Sequence, residues 1–181
     1  SPAFRNETML RLAWTTGLRV SEISNLKLEN VKLEQNLLDE FWVPKTAKSR
    51  SLWIPDTTVW YLEQYLHGGY RDAFSYAEDS EYLFVTNKGK QMNPKTVTRT
   101  VKQAAENAEI QDDLGTDQSG ATRYLITPHA LRRGHGMHLF KNGKSLPEIQ
   151  QRLGHASSSQ TDDYLPIGVE ESKEQIKNIT F

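Results

Sequence analysis

The sequence predicts an α+β fold that is mainly helical and carries a small three-stranded antiparallel sheet. Segments with apolar residues at helical spacing, bounded by helix-capping residues, cover most of the chain. Three strand-like segments follow one another between residues 29 and 54. With 181 residues and 36% hydrophobic content, the chain can bury one core. We therefore expect residues 1–181 to form a single domain.

The amino-terminal segment is predicted to form two helices separated by a short break. Apolar residues within 5–15 recur at helical spacing until Gly17 interrupts the run. Ser21 is a favourable N-cap residue and is predicted to begin the second helix. This organisation places Arg19 after a helix end and Glu22 in the first turn of the next helix.

The sheet is predicted from three segments, 29–33, 37–43 and 50–54. The second and third are joined by a short polar turn, so they form a hairpin with Lys45 at its tip. A helix is predicted from Asp56, as its cap, to about Leu66. A polar surface loop then covers 67–81.

A second set of helices is predicted by proline signatures. Asn93-Pro94 combines a capping side chain with proline at the first helical position, and the helix runs to about Ala108. Thr127-Pro128 repeats this signature. Three cations recur on one face of the first of these helices: Lys95, Arg99 and Lys102. That face fits either DNA phosphates or solvent.

The remaining segments are predicted to be a loop and further helices. Residues 111–122 have little periodicity and are predicted to be a loop. The helix that begins at Thr127-Pro128 is expected to end near Gly143. Ser145 is predicted to cap a helix over 146–153, which Gly154 ends. Tyr164 is expected on a following short helix.

Composition limits the possible chemistry. The chain has no cysteine, which excludes disulfides, thiolate zinc sites and cysteine nucleophiles. The pair His135 and His138 lacks a convincing third metal ligand, so no metal or other cofactor is expected. No apolar run is long enough to cross a bilayer, and we expect a soluble cytoplasmic protein with no membrane partner. The net charge is −1, but cations and acids are segregated along the chain. This pattern fits either one positive face that holds a polyanion or ordinary solvated helix faces.

Six side chains along the chain have the chemistry needed to attack a phosphodiester. They are Arg19, Lys45, His129, Arg132, His155 and Tyr164. Without a metal, arginines must neutralise the phosphate, and a guanidinium donates two hydrogen bonds to it at any working pH. Each residue also has an ordinary structural interpretation. Arg19 can pair with Glu22, Lys45 can be a solvated turn residue, His155 a helix cap and Tyr164 a packing residue.

The order and spacing of these residues resemble a known family. Residues 16–22, Thr-Gly-Leu-Arg-Val-Ser-Glu, resemble the first box of the tyrosine recombinases, which include the phage integrases and the Xer-type enzymes. Residues 129–132, His-Ala-Leu-Arg, resemble the His-x-x-Arg box, and residues 153–155 the Leu-Gly-His box. Tyr164 stands at the family's usual distance from that box. Lys45 matches the family's lysine better than Lys48 does.

The resemblance implies the tyrosine recombinase catalytic-domain fold and a metal-free, ATP-free strand cleavage. Tyr164 would be the nucleophile that forms a 3′-phosphotyrosyl intermediate, and Lys45 would protonate the leaving 5′-oxygen. Arg19, His129, Arg132 and His155 would stabilise the charged phosphorane, with Glu22 in a supporting role. Further DNA contacts are predicted from cations outside this set: Lys48, Arg50, Lys95, Arg99, Lys102 and Arg133.

The resemblance also implies partners and a domain organisation. Family members usually carry an amino-terminal core-binding domain, which we expect to be absent from this chain. The expected partners are a double-stranded DNA target site and further copies of the protein, assembled as a tetrameric synapse. Residues from about 165 to 181 are predicted to dock on a neighbouring protomer. A nucleoid-associated protein of prokaryotic or viral origin is expected.

Two other functions are compatible with the same residues. A type IB topoisomerase shares the fold and the phosphotyrosine chemistry, and would relax DNA of arbitrary sequence. A catalytically silent DNA-binding module would bind DNA without cleaving it. The Leu-Gly-His box and its distance to Tyr164 favour the recombinase.

Overall fold

The computed structural model describes residues 2–154. Helices in this part are α1 (Pro2–Thr16), α2 (Val20–Asn25), α3 (Asp56–His67), α4 (Pro94–Asn107), α5 (Pro128–Lys141) and α6 (Leu146–Leu153). Strands are β1 (Val31–Lys32), β2 (Leu37–Val43), β3 (Lys48–Trp53), β4 (Asp113–Thr116) and β5 (Thr122–Tyr124). The chain divides into two compact units, Ser1–His135 and Gly136–Phe181.

The predicted sheet is present as three antiparallel strands in the order β1-β2-β3. Its first strand is only two residues long because 3₁₀ turns at Leu28–Asn30 and Leu33–Gln35 flank it. Strands β2 and β3 pair Val43 with Lys48, and the turn between them carries Lys45. The predicted fold class, mainly helical with a three-stranded antiparallel sheet, is therefore confirmed.

The core of the first unit lies between the helices and one face of the sheet. Met9 and Leu12 of α1, Leu38 and Phe41 of β2, and Leu62 of α3 are buried at 1% exposure or less. Burial of large apolar side chains stabilises a fold by about 1.5–3 kcal/mol each. The core holds α1, α2 and the β2–β3 hairpin in fixed positions, and these elements carry the candidate catalytic residues.

A buried arginine organises the irregular segment after α3. Arg71 is 5% exposed, and its guanidinium donates to the carbonyl oxygens of Ala77, Ser80 and Tyr82 at 2.8 Å each. This segment then pairs with the end of α2, where the Leu83 amide donates to the Leu26 carbonyl at 2.8 Å. Arg71 thus holds together the segment that pairs with the chain directly after α2.

The middle of α5 approaches α1 closely, and the glycine at position 134 permits this approach. A Cβ atom on Gly134 would lie 2.7 Å from the ring of Trp14, nearer than van der Waals contact allows. The predicted cap is also present, because the Thr127 hydroxyl accepts from the Ala130 amide at 3.1 Å. The cap marks where α5 begins, and Gly134 lets the helix pack closely against Trp14 of α1.

The described part of the second unit contains the end of α5 and the whole of α6. Ser145 caps α6, and the Glu148 carboxylate accepts from the Ser145 amide at 2.8 Å, as in a capping box. Gly154 ends α6 with a left-handed φ of 64°. Ile149 and Leu153 of α6 lie within van der Waals distance of a Cβ placed on Gly136. The predicted bounds of α6 are confirmed.

Three local predictions were wrong. Arg19, not Ser21, is the N-cap residue of α2. Pro55 precedes α3 as its N-cap residue, and Asp56 is the first helical residue. Residues 111–122, predicted to be a loop, contribute to a second antiparallel sheet formed by β4 and β5.

Candidate active site

Arg19 is positioned by a tight turn after α1. Gly17 adopts a φ of 64°, in the left-handed region that glycine tolerates best, and its amide donates to the Ala13 carbonyl at 2.9 Å. Arg19 then has extended backbone as the N-cap of α2. Its side chain is 18% exposed. The turn thus holds one guanidinium near the protein surface, where an anion can reach it.

Glu22 is the charged residue that orients Arg19. Its side chain is fully buried, and one carboxylate oxygen accepts from the Arg19 guanidinium at 2.8 Å. The other oxygen accepts from the Arg19 amide at 2.9 Å and from the Arg50 guanidinium at 3.1 Å. A buried carboxylate with charged donors on both oxygens has little freedom to rotate. Glu22 therefore fixes the direction of the Arg19 side chain.

The same contacts set the ionisation of Glu22. Burial alone raises the pKa of this carboxyl, but the charge of Arg50 and the hydrogen bonds from Arg19 together hold the pKa below its usual value of 4.5. Glu22 therefore remains ionised at neutral pH and keeps both arginines paired.

The lowered pKa of Glu22 gives a pH-dependent stability. A depressed carboxyl pKa contributes stability above pH 4.5, and this contribution is lost as the pH falls through the folded-state value. We expect the Glu22→Gln variant to be less stable at pH 7, by about 3–5 kcal/mol, because the ion pairs that the buried Glu22 carboxylate makes with Arg19 and Arg50 are lost. Below pH 4.5 its stability should fall less steeply than that of the unmodified protein. Urea unfolding across this pH range measures both effects.

The control for this pH series is Glu7→Gln. The Glu7 carboxylate is also paired with an arginine, Arg11, at 2.9 Å, but its side chain is 46% exposed. Exposed pairs contribute about 0–1 kcal/mol. As the pH falls below 4.5, this variant should therefore lose stability almost as steeply as the unmodified protein. If Glu22→Gln also lost stability as steeply as the unmodified protein below pH 4.5, Glu22 would not be the source of the pH-dependent stability.

Arg132 joins the site from α5. It is 2% exposed, and its guanidinium donates to the main-chain carbonyl of Gly17. That carbonyl lies two residues before Arg19, so the contact brings the two predicted phosphate-binding arginines to the same turn. The neighbouring Leu131 packs against the hydrophobic core. The His-x-x-Arg segment and the Gly17–Arg19 turn thus form one local structure.

His129 lies on the first turn of α5 and is exposed. Partial burial lowers the pKa of its imidazole, and the positive charges of Arg133 and Arg132 lower it further. A pKa below 6.5 leaves the ring neutral at pH 7, with one nitrogen that donates and one that accepts. His129 can therefore both donate a hydrogen bond to an anion and accept a proton.

Lys45 lies on the exposed turn of the β2–β3 hairpin. The turn includes Ala47, which has a left-handed φ of 49°, and the Thr46 amide donates to the Val43 carbonyl at 3.2 Å. Five residues later on the same hairpin, Arg50 bonds to Glu22. The hairpin is thereby connected to α2, and Lys45 keeps an exposed position at its end.

Two of the six predicted catalytic residues, His155 and Tyr164, lie outside the described residues. The structure brings together Arg19, Glu22 and Arg132 in the first unit, and it places His129 one helical turn before Arg132. Gly154, which directly precedes His155 in the sequence, has the left-handed conformation that ends α6.

The predicted DNA-contacting cations differ in their surroundings. Lys48, Lys95, Arg99 and Arg133 are exposed. Lys102 donates to the Tyr124 hydroxyl at 2.6 Å and pairs with Glu106 at 3.5 Å. Arg50 is mostly buried and pairs with Glu22. The sequence carries a signal for this position. Side chains two positions apart on a strand lie on the same face, and Arg50 precedes the inward-facing Leu52 by two positions on β3.

The described part of the chain has neither a cluster of metal-ligating side chains nor a membrane-spanning helix. Within residues 2–154, no group of three or more His, Cys, Asp or Glu side chains is arranged to hold a metal ion. The helices in this range are too short or too polar to cross a membrane.

Comparison with known proteins gives consistent matches over almost the whole chain. Residues 1–170 match the phage integrase family. The tyrosine recombinase XerD of Staphylococcus aureus (strain Mu50) is 32% identical over 176 residues, covering 97% of this chain and 53% of XerD. The chain therefore spans about half the length of this relative.

Solved structures show the same fold. The crystal structure of XerA recombinase superposes with a TM-score of 0.73 at 24% identity, covering 98% of this chain and 64% of XerA. XerH site-specific recombinase bound to its difH substrate in a pre-cleavage complex has a TM-score of 0.69 at 19% identity, covering 97% of this chain and 47% of XerH. The resemblance to the tyrosine recombinases is confirmed: this chain belongs to the phage integrase family.

Proposed function

We propose that this protein is a site-specific DNA recombinase that breaks and rejoins strands through a 3′-phosphotyrosyl intermediate, without metal or ATP. The observation that carries the proposal is the arrangement around Gly17. The Arg132 guanidinium donates to the Gly17 carbonyl. Arg19 follows Gly17 by two residues, and its guanidinium is oriented by a hydrogen bond to Glu22. Two guanidinium groups held at one turn match the electrostatic needs of a pentavalent phosphorus with no metal ion.

The chemistry follows from the properties of each side chain. The Tyr164 oxygen attacks the phosphorus, and the bond to the 5′-oxygen breaks as the new ester bond forms. The Tyr164 proton passes to the neutral imidazole of His129, and the Lys45 ammonium protonates the departing 5′-oxygen. Arg19 and Arg132 neutralise the non-bridging oxygens, and His155 adds a hydrogen bond there.

Rejoining is the same reaction in reverse. The 5′-hydroxyl of a partner strand attacks the phosphorus of the phosphotyrosine and gives its proton to Lys45. The bond to the Tyr164 oxygen breaks, and that oxygen takes back the proton held by His129. One phosphodiester is exchanged for another of nearly equal energy, so no nucleotide cofactor is needed. Strand exchange of this kind requires two duplexes, which supports self-association on DNA as a tetrameric synapse. Residues 165–181 are proposed to dock on a neighbouring protomer in that assembly.

A double-stranded DNA target is the proposed substrate. The DNA-bound complex of XerH supports this choice, as do the exposed cations Lys95 and Arg99 on α4. The other exposed cations, Lys48 and Arg133, and the half-exposed Lys102 are proposed to contact phosphates. Because the proposed substrate is DNA, we also propose that the protein is cytoplasmic and nucleoid-associated, and of prokaryotic or viral origin.

A suicide substrate tests the proposal. The duplex carries a sequence that the protein selects from a random library, with a nick a few nucleotides 3′ of the cleaved phosphate, so that the short fragment is lost after cleavage. We expect a denaturant-stable protein–DNA adduct with a free 5′-hydroxyl, formed in EDTA and without ATP. Binding with no adduct would indicate the silent module. Relaxation of plasmids of arbitrary sequence would indicate a topoisomerase.

A further inference from the structure

Arg50 occupies an inward-facing position on the hairpin that also carries Lys45. Its side chain is 15% exposed, and its guanidinium carbon lies 5.1 Å from the centre of the Phe41 ring, on the paired position of β2. Contact with an aromatic face favours a guanidinium over an ammonium group. The Arg50 side chain is therefore packed into the protein, whereas Lys48 on the same strand is exposed to solvent.

The polar contact of Arg50 is made with the carboxylate that orients Arg19. One Nη of Arg50 donates to Glu22 Oε2 at 3.1 Å, while Glu22 Oε1 accepts from the Arg19 guanidinium at 2.8 Å. Glu22 is completely buried. Without Arg50, one oxygen of a buried carboxylate would lose its charged donor, and Glu22 would gain freedom to rotate away from Arg19.

The contact also connects two parts of the site that are far apart in sequence. Glu22 lies on α2, and Arg50 lies on β3, which is paired with β2 through Phe41 and Val43. Lys45 lies in the turn between these strands. One ion pair therefore fixes both the direction of Arg19 and the position of the hairpin that presents Lys45.

We propose that Arg50 is a positioning residue for strand cleavage, which acts through Glu22 to hold Arg19 and the Lys45 hairpin in place before DNA binds. This inference rests on the proposed recombinase function. It replaces the sequence-based prediction that Arg50 contacts DNA. A DNA contact and a positioning role differ in what they change: the first sets the affinity, and the second sets the rate of the bound complex.

Single-turnover cleavage of the suicide substrate by the Arg50→Met variant separates the two roles. We expect the rate at saturating DNA to fall about 100-fold, since a displacement of about 1 Å at a reacting group has this effect. The dissociation constant and its salt dependence should stay within about twofold of the unmodified values. Arg50→Lys restores one charge without the planar fork, so its rate should lie between the two.

Two neighbours on β3 serve as comparisons. Lys48→Met should weaken DNA binding and reduce the slope of log K against log salt by about 1. Ser49→Ala, at an exposed position, should leave both quantities unchanged. If Arg50→Met instead behaves like Lys48→Met, Arg50 is a DNA contact and the proposal is wrong.

The effect of Arg50 on the Arg19 side chain can also be measured without DNA, so this test does not depend on strand cleavage. In ¹⁵N NMR spectra at low temperature, the Arg19 guanidinium should give separate Nη signals, because its bond to Glu22 slows rotation. In Arg50→Met and Arg50→Lys these signals should broaden or merge, whereas in Ser49→Ala they should persist. Unchanged Arg19 signals in both Arg50 variants would overturn the positioning role, whatever the outcome of the cleavage assay.

Discussion

The Tyr164→Phe variant is expected to form no covalent adduct with the nicked duplex, while it binds that duplex with nearly unchanged affinity. Phenylalanine keeps the aromatic ring but removes the oxygen that would attack the phosphorus, so the reaction has no first step. Loss of the adduct should exceed the detection range of the assay. Electrophoresis under denaturing conditions measures the adduct, and a filter or mobility assay measures binding.

Tyr76→Phe is the matched control for this experiment. Tyr76 is an exposed tyrosine in the segment after α3, where its loss should change neither adduct formation nor binding. An adduct that survives in Tyr164→Phe would remove Tyr164 from its proposed role. Peptide mapping of that adduct would then identify the residue that carries the DNA.

Much of the fold could be predicted because its signals are local. The Asn93-Pro94 signature marks the start of α4, where the Asn93 side chain accepts from the Lys95 amide at 2.9 Å. Gly154 provides the left-handed conformation that ends α6. Such capping and chain-reversal rules depend on a few neighbouring residues. Helix starts and ends of this kind can therefore be predicted from the local sequence alone.

The second sheet was missed because its strands carry no apolar alternation. Every residue of β4 is exposed, and β5 has only one partly buried residue. The turn between them is stabilised by Asp117, whose carboxylate accepts from the Ser119 and Ala121 amides at 2.8 and 3.0 Å. The Asp-x-Ser-Gly segment was the available signal for a hairpin turn.

The candidate site divides in the same way. The order of its motifs could be found in the sequence, and so could the pairing of Arg19 with Glu22, which is a contact three residues apart. The contacts of Arg132 with Gly17 and of Arg50 with Glu22 join residues 115 and 28 positions apart. Contacts of this range depend on how the helices and the sheet pack, which no local pattern specifies.

Replacement of Arg132 should give the second large loss of activity. We expect Arg132→Ala to cleave the suicide substrate about 1000-fold more slowly at saturating DNA, a loss of about 4 kcal/mol of transition-state stabilisation. Arg132→Lys should recover little of this rate. Arg132 is held by its bond to the Gly17 carbonyl. A lysine side chain reaches less far, and its ammonium group has no planar fork with which to keep that bond and also bind a phosphate.

The adjacent Arg133 provides the contrast that assigns the effect to Arg132. Arg133 is exposed, so Arg133→Ala should weaken DNA binding and lower the salt slope by about 1, while the saturated rate stays near that of the unmodified protein. Urea unfolding of each variant shows whether it is folded at the assay temperature. A folded Arg132→Lys protein that cleaves at the unmodified rate would contradict the role of Arg132. Lysine can replace a cation that is exposed or acts only through its charge, but it cannot replace a buried guanidinium that is bonded to Gly17.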